Sequence, residues 1–230
     1  MKKIIVLTGA GISAESGIKT FRDDDGLWKK YRFEYLASPQ GWADNPELVL
    51  EFYNARRKQL LEVEPNAAHK ALVKLEEKYD VEIIIQNVDD LHERAGSSKI
   101  LHLHGEIRKA RSTVDDSLIY DIQGGELNIG DYCEKGSQLR PHVVWFGEMV
   151  PNIEIAAHIV SKADIFIVIG TSLVVYPAAG LLQYAPEYSK KYLIDPKANP
   201  AHHISNLEIL REKAAQGVPG LIERLLAVPN

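Results

Sequence analysis

Residues 2–17 read KKIIVLTGAGISAESG, an apolar run that passes into a glycine-rich turn. The run is shorter than the roughly 7–15 apolar residues of a secretory signal, so it reads as a first β-strand. Gly9 and Gly11, with Ala10 between them, permit a tight turn and close approach of backbone to a phosphate. Ala14 stands where a third small residue suffices. A helix starting here would aim N–H groups and a positive dipole end at a pyrophosphate. A dinucleotide-dependent dehydrogenase should then show a second strand ending in an acidic residue about 20 positions further on. Residues 21–31 instead read FRDDDGLWKKY, with Asp23, Asp24 and Asp25 in a turn-rich segment. The loop therefore suits a nucleotide held for a purpose other than hydride transfer.

Apolar runs at 3–8, 81–86, 100–104, 142–146, 165–170 and 192–195 read as buried parallel strands. Helical spacing of apolar residues appears over 67–79, with Pro65 and Asn66 at its start, and over 219–228 as a closing helix. Strands alternating with helices imply an α/β fold, a Rossmann-like parallel sheet with helices on both faces. The strands run into TGAG, QNVD, LHGE, FGE, GTS and DP. Those polar ends are expected along one sheet edge, where open α/β sheets bind their ligands. Two stretches leave this pattern. Residues 26–64 read as helices, and residues 108–139 are polar and irregular, with GG, NIG and EKG turn signals. They are expected to form a small module beside a larger nucleotide-binding part of about residues 1–25, 65–107 and 140–230, the whole 230 residues making one catalytic domain.

Composition narrows the function classes. Hydrophobic content of 45% with 26% charged residues is that of a globular protein, and no apolar run reaches the roughly 18 residues of a membrane span. The net charge of −5 provides no electrostatic footprint for nucleic acid, while an acidic surface tolerates basic peptides. A single cysteine, Cys133, excludes an intramolecular disulfide framework and fits a reducing cytoplasm. With no extension beyond the core elements, a bacterial or archaeal cytoplasmic protein is expected.

A series of short motifs follows the first loop in order: Gly9-Ala-Gly-Ile-Ser13, Ser16-Gly-Ile18, Thr20-Phe-Arg22, Gln86-Asn-Val-Asp89 with Leu91-His92, Leu103-His-Gly105, Val144-Trp-Phe-Gly-Glu148 and Gly170-Thr-Ser172. The ordered set spans nearly the whole chain and resembles the sirtuins, NAD-dependent protein deacylases. The chain departs from them at Lys19, where proline is usual, at Ile85, where threonine often stands, and at Asp195, where an asparagine usually faces the adenosine ribose. Aspartate accepts the same ribose hydroxyl, so NAD binding is expected to be kept.

The resemblance implies that NAD is a co-substrate. An acyl-lysine amide oxygen attacks C1′ of the nicotinamide ribose and expels nicotinamide; a base then helps the 2′-hydroxyl capture the acyl carbon. Free lysine and O-acyl-ADP-ribose result. His104 is the candidate base, since an imidazole near pKa 6.5 accepts a proton at neutral pH and this one stands at a strand end before a glycine. His102, His69 and His92 read as hydrogen-bonded structural or supporting histidines. By resemblance, Asn87 (with a catalytic role) and Asp89 line the nicotinamide pocket, and Gln86 faces the ribose. Phe21 and Arg22 cover the reacting centre. Gly170, Thr171, Ser172 and Asp195 meet the adenosine half, with Ala214 near adenine. Val144, Phe146, Gly147 and Glu148 are expected to pair with the substrate peptide as a strand.

Residues 47–62 read as a helix that carries Tyr53 and Arg56 on one face at i, i+3 spacing. A packed ring beside a solvated charge is the plain reading. The Tyr-x-x-Arg spacing also resembles the signature of sirtuins that remove succinyl and malonyl groups, and a guanidinium with a phenol suits a terminal carboxylate. Sirtuins usually hold a structural zinc on two cysteine pairs. Here Ser112, Asp115 and Gly136 replace three of the four ligands, so no metal is expected, and the module should be held by hairpin hydrogen bonds and packing of Leu118, Ile119, Tyr120, Ile122 and Leu127. The expected partners are acylated lysine side chains of proteins, with no nucleic acid and no membrane; a monomer is the working expectation. NAD glycohydrolase or mono-ADP-ribosyltransferase activity, or a non-catalytic NAD or ADP-ribose sensor, stands as the alternative.

Overall fold

The computed structural model describes residues 1–18, 32–171, 176, 178–198 and 204–228. Phe21, Arg22 and Ser172 lie outside the described residues, as does Lys19. The chain forms two compact units: Met1–Thr20 with Glu64–Leu103 and Val150–Asn230, and Phe21–Val63 with His104–Met149. Among the described residues no helix is long and apolar enough to cross a membrane.

The first unit is a six-stranded sheet built from β1 (Lys3–Thr8), β2 (Asp80–Ile85), β3 (Ile100–His102), β7 (Ile165–Ile169), β8 (Lys190–Ile194) and β9 (Leu207–Leu210), in the order β3-β2-β1-β7-β8-β9. Every pairing is parallel. β1 is β-branched and buried along nearly its whole length, which suits a strand flanked on both sides. Alternation sends Ile4 and Val6 to one face and Ile5 and Leu7 to the other. The first face packs on α5 (Ala67–Leu75) and α8 (Ala214–Ala227), the second on α7 (Ile153–Val160) and a 3₁₀ segment, Ala178–Tyr184. Each fully buried Ile or Leu adds roughly 1.5–3 kcal/mol, so the two-sided core dominates this unit's stability.

The register aligns the strand ends. Thr8 faces Ile85 on one side and Ile169 on the other, and Ile169 faces Ile194. Gly9, Gln86, Gly170 and Asp195 therefore emerge along one carboxyl edge, and the order changes direction between β1 and β7, where such sheets bind nucleotides.

The second unit pairs β4 (Gly105–Ser112) antiparallel with β5 (Ile119–Asp121) and β6 (Leu139–Val143). Three helices in one run belong to it, α2 (Phe33–Leu36), α3 (Pro39–Asp44) and α4 (Pro46–Glu62), while α1 (Ala10–Ala14) and α6 (Leu91–Ala95) sit in the first unit.

Several expectations need correction here. The run expected at 100–104 ends as a strand at His102, because Gly105 at φ +83° turns the chain away and starts a different sheet. A Cβ on Gly105 would lie 2.1 Å from the His142 carbonyl oxygen, so only glycine fits. The run expected as a parallel strand over 142–146 is instead β6, three residues earlier and antiparallel. Residues 104–107 and 140–149 therefore belong to the second unit and not to the nucleotide-binding part. The stretch at 108–139, expected to be irregular, holds most of β4 and all of β5. Ile119 is 44% exposed and stands outside the core of Leu50, Ala110, Leu127, Cys133 and Leu139, which Leu118, Tyr120 and Ile122 flank.

Candidate active site

The glycine-rich loop leaves β1 and forms the five-residue α1, capped by Gly9. Its glycines answer to the protein's own backbone. A Cβ on Gly9 would lie 2.9 Å from the Gly170 carbonyl oxygen, and one on Gly11 would lie 2.6 Å from the Gly170 Cα. Gly170 itself sits at φ +62°, and a Cβ there would lie 2.4 Å from the Ile12 nitrogen. Gly9 N–H donates to the Ile169 carbonyl and Gly11 N–H to the Gly170 carbonyl. The two strand ends thus interlock through glycine, and Ala10 rides on this turn, partly exposed.

Polar groups from the end of β2 meet the loop at Ser13. The Asn87 side-chain amide donates to Ser13 Oγ at 3.1 Å and to the Gly9 carbonyl at 3.2 Å. Ser13 Oγ donates to Asp89 Oδ2 at 2.9 Å, and Asp89 Oδ1 accepts from Leu91 N–H. One buried hydroxyl so accepts from the amide and donates to the carboxylate. Burial pushes the Asp89 carboxyl up, opposed by the bonds from Ser13, Leu91 and Asn87. Gln86 is buried beside them, with its N–H on the Thr8 carbonyl at 2.9 Å.

Beneath the loop lies a histidine pair. The His69 and His92 rings meet edge to face with centroids 4.8 Å apart, and both are almost wholly buried. His92 Nε2 lies 3.2 Å from Thr8 Oγ1. His69 Nδ1 accepts from the Asn66 N–H and closes a capping box on α5. Burial lowers His69 to about 4, and burial with the nearby His69 and His102 lowers His92 well below its ordinary value. Both imidazoles are neutral at neutral pH. His102 pairs with Glu93 at 2.6 Å.

Two anchors that sequence reading missed hold the loop from outside. The Asn66 amide donates to the Ile12 carbonyl at 2.7 Å and to Ser16 Oγ at 3.0 Å. The Glu15 carboxylate accepts from Ala215 N–H at 2.7 Å and so caps α8. That helix begins at Ala214, five residues before the expected start, with Pro219 inside it. Ala214 is buried at its first position. Asp195 follows β8 with its Oδ1 on the Lys197 N–H, and Thr171 is partly exposed after Gly170.

In the second unit, His104 is partly exposed and its carbonyl accepts from Val144 N–H at 2.9 Å. Residues 144–148 form a turn and not the expected strand. Phe146 N–H is bonded to the Ala37 carbonyl, Glu148 N–H to the Trp145 carbonyl and Trp145 N–H to Glu148 Oε2. Those amides are engaged within the unit, so a peptide pairing here meets carbonyls and the turn at Gly147 (φ +92°). Phe146 is 46% exposed. Glu148 receives Arg140 through two bonds, at 2.6 and 3.0 Å, and Arg111 at 3.3 Å. Burial alone would raise this carboxyl, but Arg140, the Trp145 N–H and Arg111 together hold it below the usual range.

Tyr53 and Arg56 both lie on α4. Tyr53 is 2% exposed, and its oxygen accepts from Trp145 Nε1 at 3.0 Å. Arg56 is partly exposed, its guanidinium 5.6 Å from the Phe52 ring centre and 5.9 Å from that of Phe33. The adjacent Arg57 is buried and ties α4 to the Ile107 and Gly125 carbonyls.

Where a metal knuckle would stand, Ser112 Oγ and Ser137 Oγ are 2.9 Å apart, with Cys133 Sγ 3.4 and 3.3 Å from them. Ser112 Oγ also accepts the N–H groups of Val114 and Asp115. Ser137, and not Gly136, completes the cluster. Asp115 turns away to Ser117 and Lys135. One thiol and two hydroxyls do not fit structural zinc. Among the described residues no group of three or more His, Cys, Asp or Glu is placed to hold a metal.

The Sir2 family model matches residues 9–177. A Bacteroides thetaiotaomicron protein named NAD-dependent protein deacylase is 54% identical over 234 residues, covering 100% of both chains. One of the same name from Helicobacter pylori is 54% identical over 230 residues, again covering 100% of both. The crystal structure of a Sir2 homolog–NAD complex superposes with a TM-score of 0.89 at 42% identity, covering 98% of this chain and 90% of that one.

Proposed function

The chain belongs to the Sir2 family, and from that premise we propose a protein-lysine deacylase that removes succinyl and malonyl groups, with acetyl as a further substrate. NAD-dependent protein deacylation is the activity its full-length relatives are named for, and NAD is the co-substrate. When bound, NAD supplies an electrophilic ribose carbon and carries the acyl group away as O-acyl-ADP-ribose. The chain's own groups have separate tasks. The Gly9–Gly170 interlock and the Asn87–Ser13–Asp89 relay fix the loop for the nucleotide. Asn87 and Asp89 act at the nicotinamide end, and Gln86 at the ribose. Thr171, Asp195 and Ala214 serve the adenosine half. His104 accepts the ribose hydroxyl proton. Val144, Phe146, Gly147 and Glu148 receive the peptide. A cytoplasmic location, expected from the single cysteine, belongs to the same reading.

The observation that carries the acidic-acyl reading is the pair on α4. Tyr53 and Arg56 stand three residues apart on α4 and both lie against the Phe52 ring, at 5.1 and 5.6 Å from its centre. A terminal carboxylate takes two parallel bonds from a guanidinium and a third from a phenol. Mass spectrometry of succinyl-, malonyl- and acetyl-lysine peptides incubated with NAD tests it. Arg56→Met should raise KM strongly for the succinyl peptide and leave acetyl turnover little changed. Equal effects on both would make Arg56 a support of the fold.

The small module is read as metal-free, held by the Ser112–Ser137–Cys133 bonds and the core around Leu127. One zinc per chain by elemental analysis after chelator dialysis would overturn that.

A further inference from the structure

The turn at residues 144–148 alternates its side chains: Phe146 is 46% exposed, while Trp145 is 2% exposed. Trp145 thus aims inward, where Tyr53 Oη lies 3.0 Å from its Nε1. An indole N–H can only donate, so the phenol oxygen is the acceptor in this bond. The phenol has one hydrogen, and because its oxygen accepts from Trp145, that hydrogen is directed away from the indole. We propose that Trp145 is a positioning residue for acyl selectivity, its N–H committing Tyr53 to donate its hydroxyl proton to the terminal carboxylate of an acidic acyl group. The inference rests on the acidic-acyl reading of Tyr53 and Arg56.

The indole is itself held in place. Its main-chain N–H is on Glu148 Oε2 at 2.7 Å, the Arg140 guanidinium carbon lies 3.2 Å from its ring centre, and the Trp42 ring is 5.7 Å away. Arg140 in turn grips Glu148 at 2.6 and 3.0 Å. The direction of the Trp145–Tyr53 bond is fixed by the indole, and the position of the indole by these contacts and not by the substrate. An ionised carboxylate has acceptors only, so a phenol presenting a lone pair would repel it and one presenting its hydrogen binds it. Burial pushes the Tyr53 phenol well above its ordinary value, so that hydrogen stays at all working pH. An acetyl group ends in a methyl and does not sense this direction.

The test measures KM and kcat for succinyl- and acetyl-lysine peptides with Trp145→Phe, Tyr53→Phe and the double variant. Trp145→Phe should raise KM for the succinyl peptide about 2- to 10-fold, the range of one hydrogen bond. It should leave the acetyl KM and the NAD KM unchanged, and add nothing in the Tyr53→Phe background. If Trp145→Phe folds poorly, Trp145 is replaced by β-(3-benzothienyl)alanine, which keeps the shape and lacks the N–H; the same expectations hold. An equal KM rise for both peptides, or a full Trp145→Phe effect in the Tyr53→Phe background, overturns the positioning role alone. Tyr53→Phe and Arg56→Met both leaving the succinyl peptide unaffected overturns the acidic-acyl reading, and this inference with it.

Discussion

Replacing His69 by glutamine should flatten the acid side of the stability profile. His69 is wholly buried, and burial lowers it from an ordinary 6.5 to about 4. Unfolded, it takes up its proton near 6.5; folded, it does so only near 4. Between those values the unfolded chain binds more protons, so stability falls as pH falls through that window and is whole above it. At about 1.4 kcal/mol per pH unit the gap has a ceiling near 3 kcal/mol. His92, lowered for the same reason, adds a loss of the same sign. Asp89 works in the opposite direction, since its raised carboxyl favours the folded state in acid. The Asp89 contribution and the burial of His92 remain in the variant, so the difference between the proteins reports His69 together with its charge coupling to His92. Glutamine suits the position because His69 accepts the Asn66 N–H at the third residue of a helix, where a Gln side chain closes the same capping box. Urea unfolding at steps from pH 7.5 to 4.5 provides the two curves. The wild type should lose about 2–3 kcal/mol more than the variant across the window. Parallel curves would mean that His69 does not carry a buried neutral ring, and the reasoning fails.

His104→Ala should lower deacylation about 10²–10⁴-fold, while NAD binding by calorimetry stays near normal; near-normal turnover at saturating substrate would refute the assignment. Gly170→Ala places a Cβ 2.4 Å from the Ile12 nitrogen at φ +62°. It should cost about 1–3 kcal/mol and raise KM for NAD, which thermal melts and initial rates check. Asn66→Ala removes the helix cap and the bonds to the Ile12 carbonyl and Ser16 Oγ. A loss of about 1 kcal/mol is expected, with KM for NAD rising and kcat changing less; an unchanged KM would show that the loop holds without that anchor.

What the sequence determined by itself was whatever its own neighbours decide. β1 and β7 are legible because a buried central strand needs an unbroken β-branched run. α4 and α5 are legible because Asn45 and Asn66 cap them within a few residues. The motif order placed Gly9, Asn87 and Asp89 at one sheet edge, and the register agrees because strand ends in a parallel sheet are set by pairing of adjacent runs. Tertiary structure decided the rest. β9 is short and only partly buried, so no local pattern marks it; it exists because β8 offers it an edge. α8 gains its first turn, ahead of Pro219, from a carboxylate on Glu15, about as far away in the chain as a residue can be. Gly9 and Gly11 are legible as glycines, but their physical reason is the approach of the Gly170 backbone and not a phosphate alone. Ser112, Ser137 and Cys133 converge only because antiparallel pairing folds their hairpins together. The Trp145–Tyr53 bond joins positions 92 residues apart. Periodicity can show that each ring is buried, but only the packed unit shows which hydrogen-bonding group meets it, because a donor's direction is fixed by contacts and not by spacing.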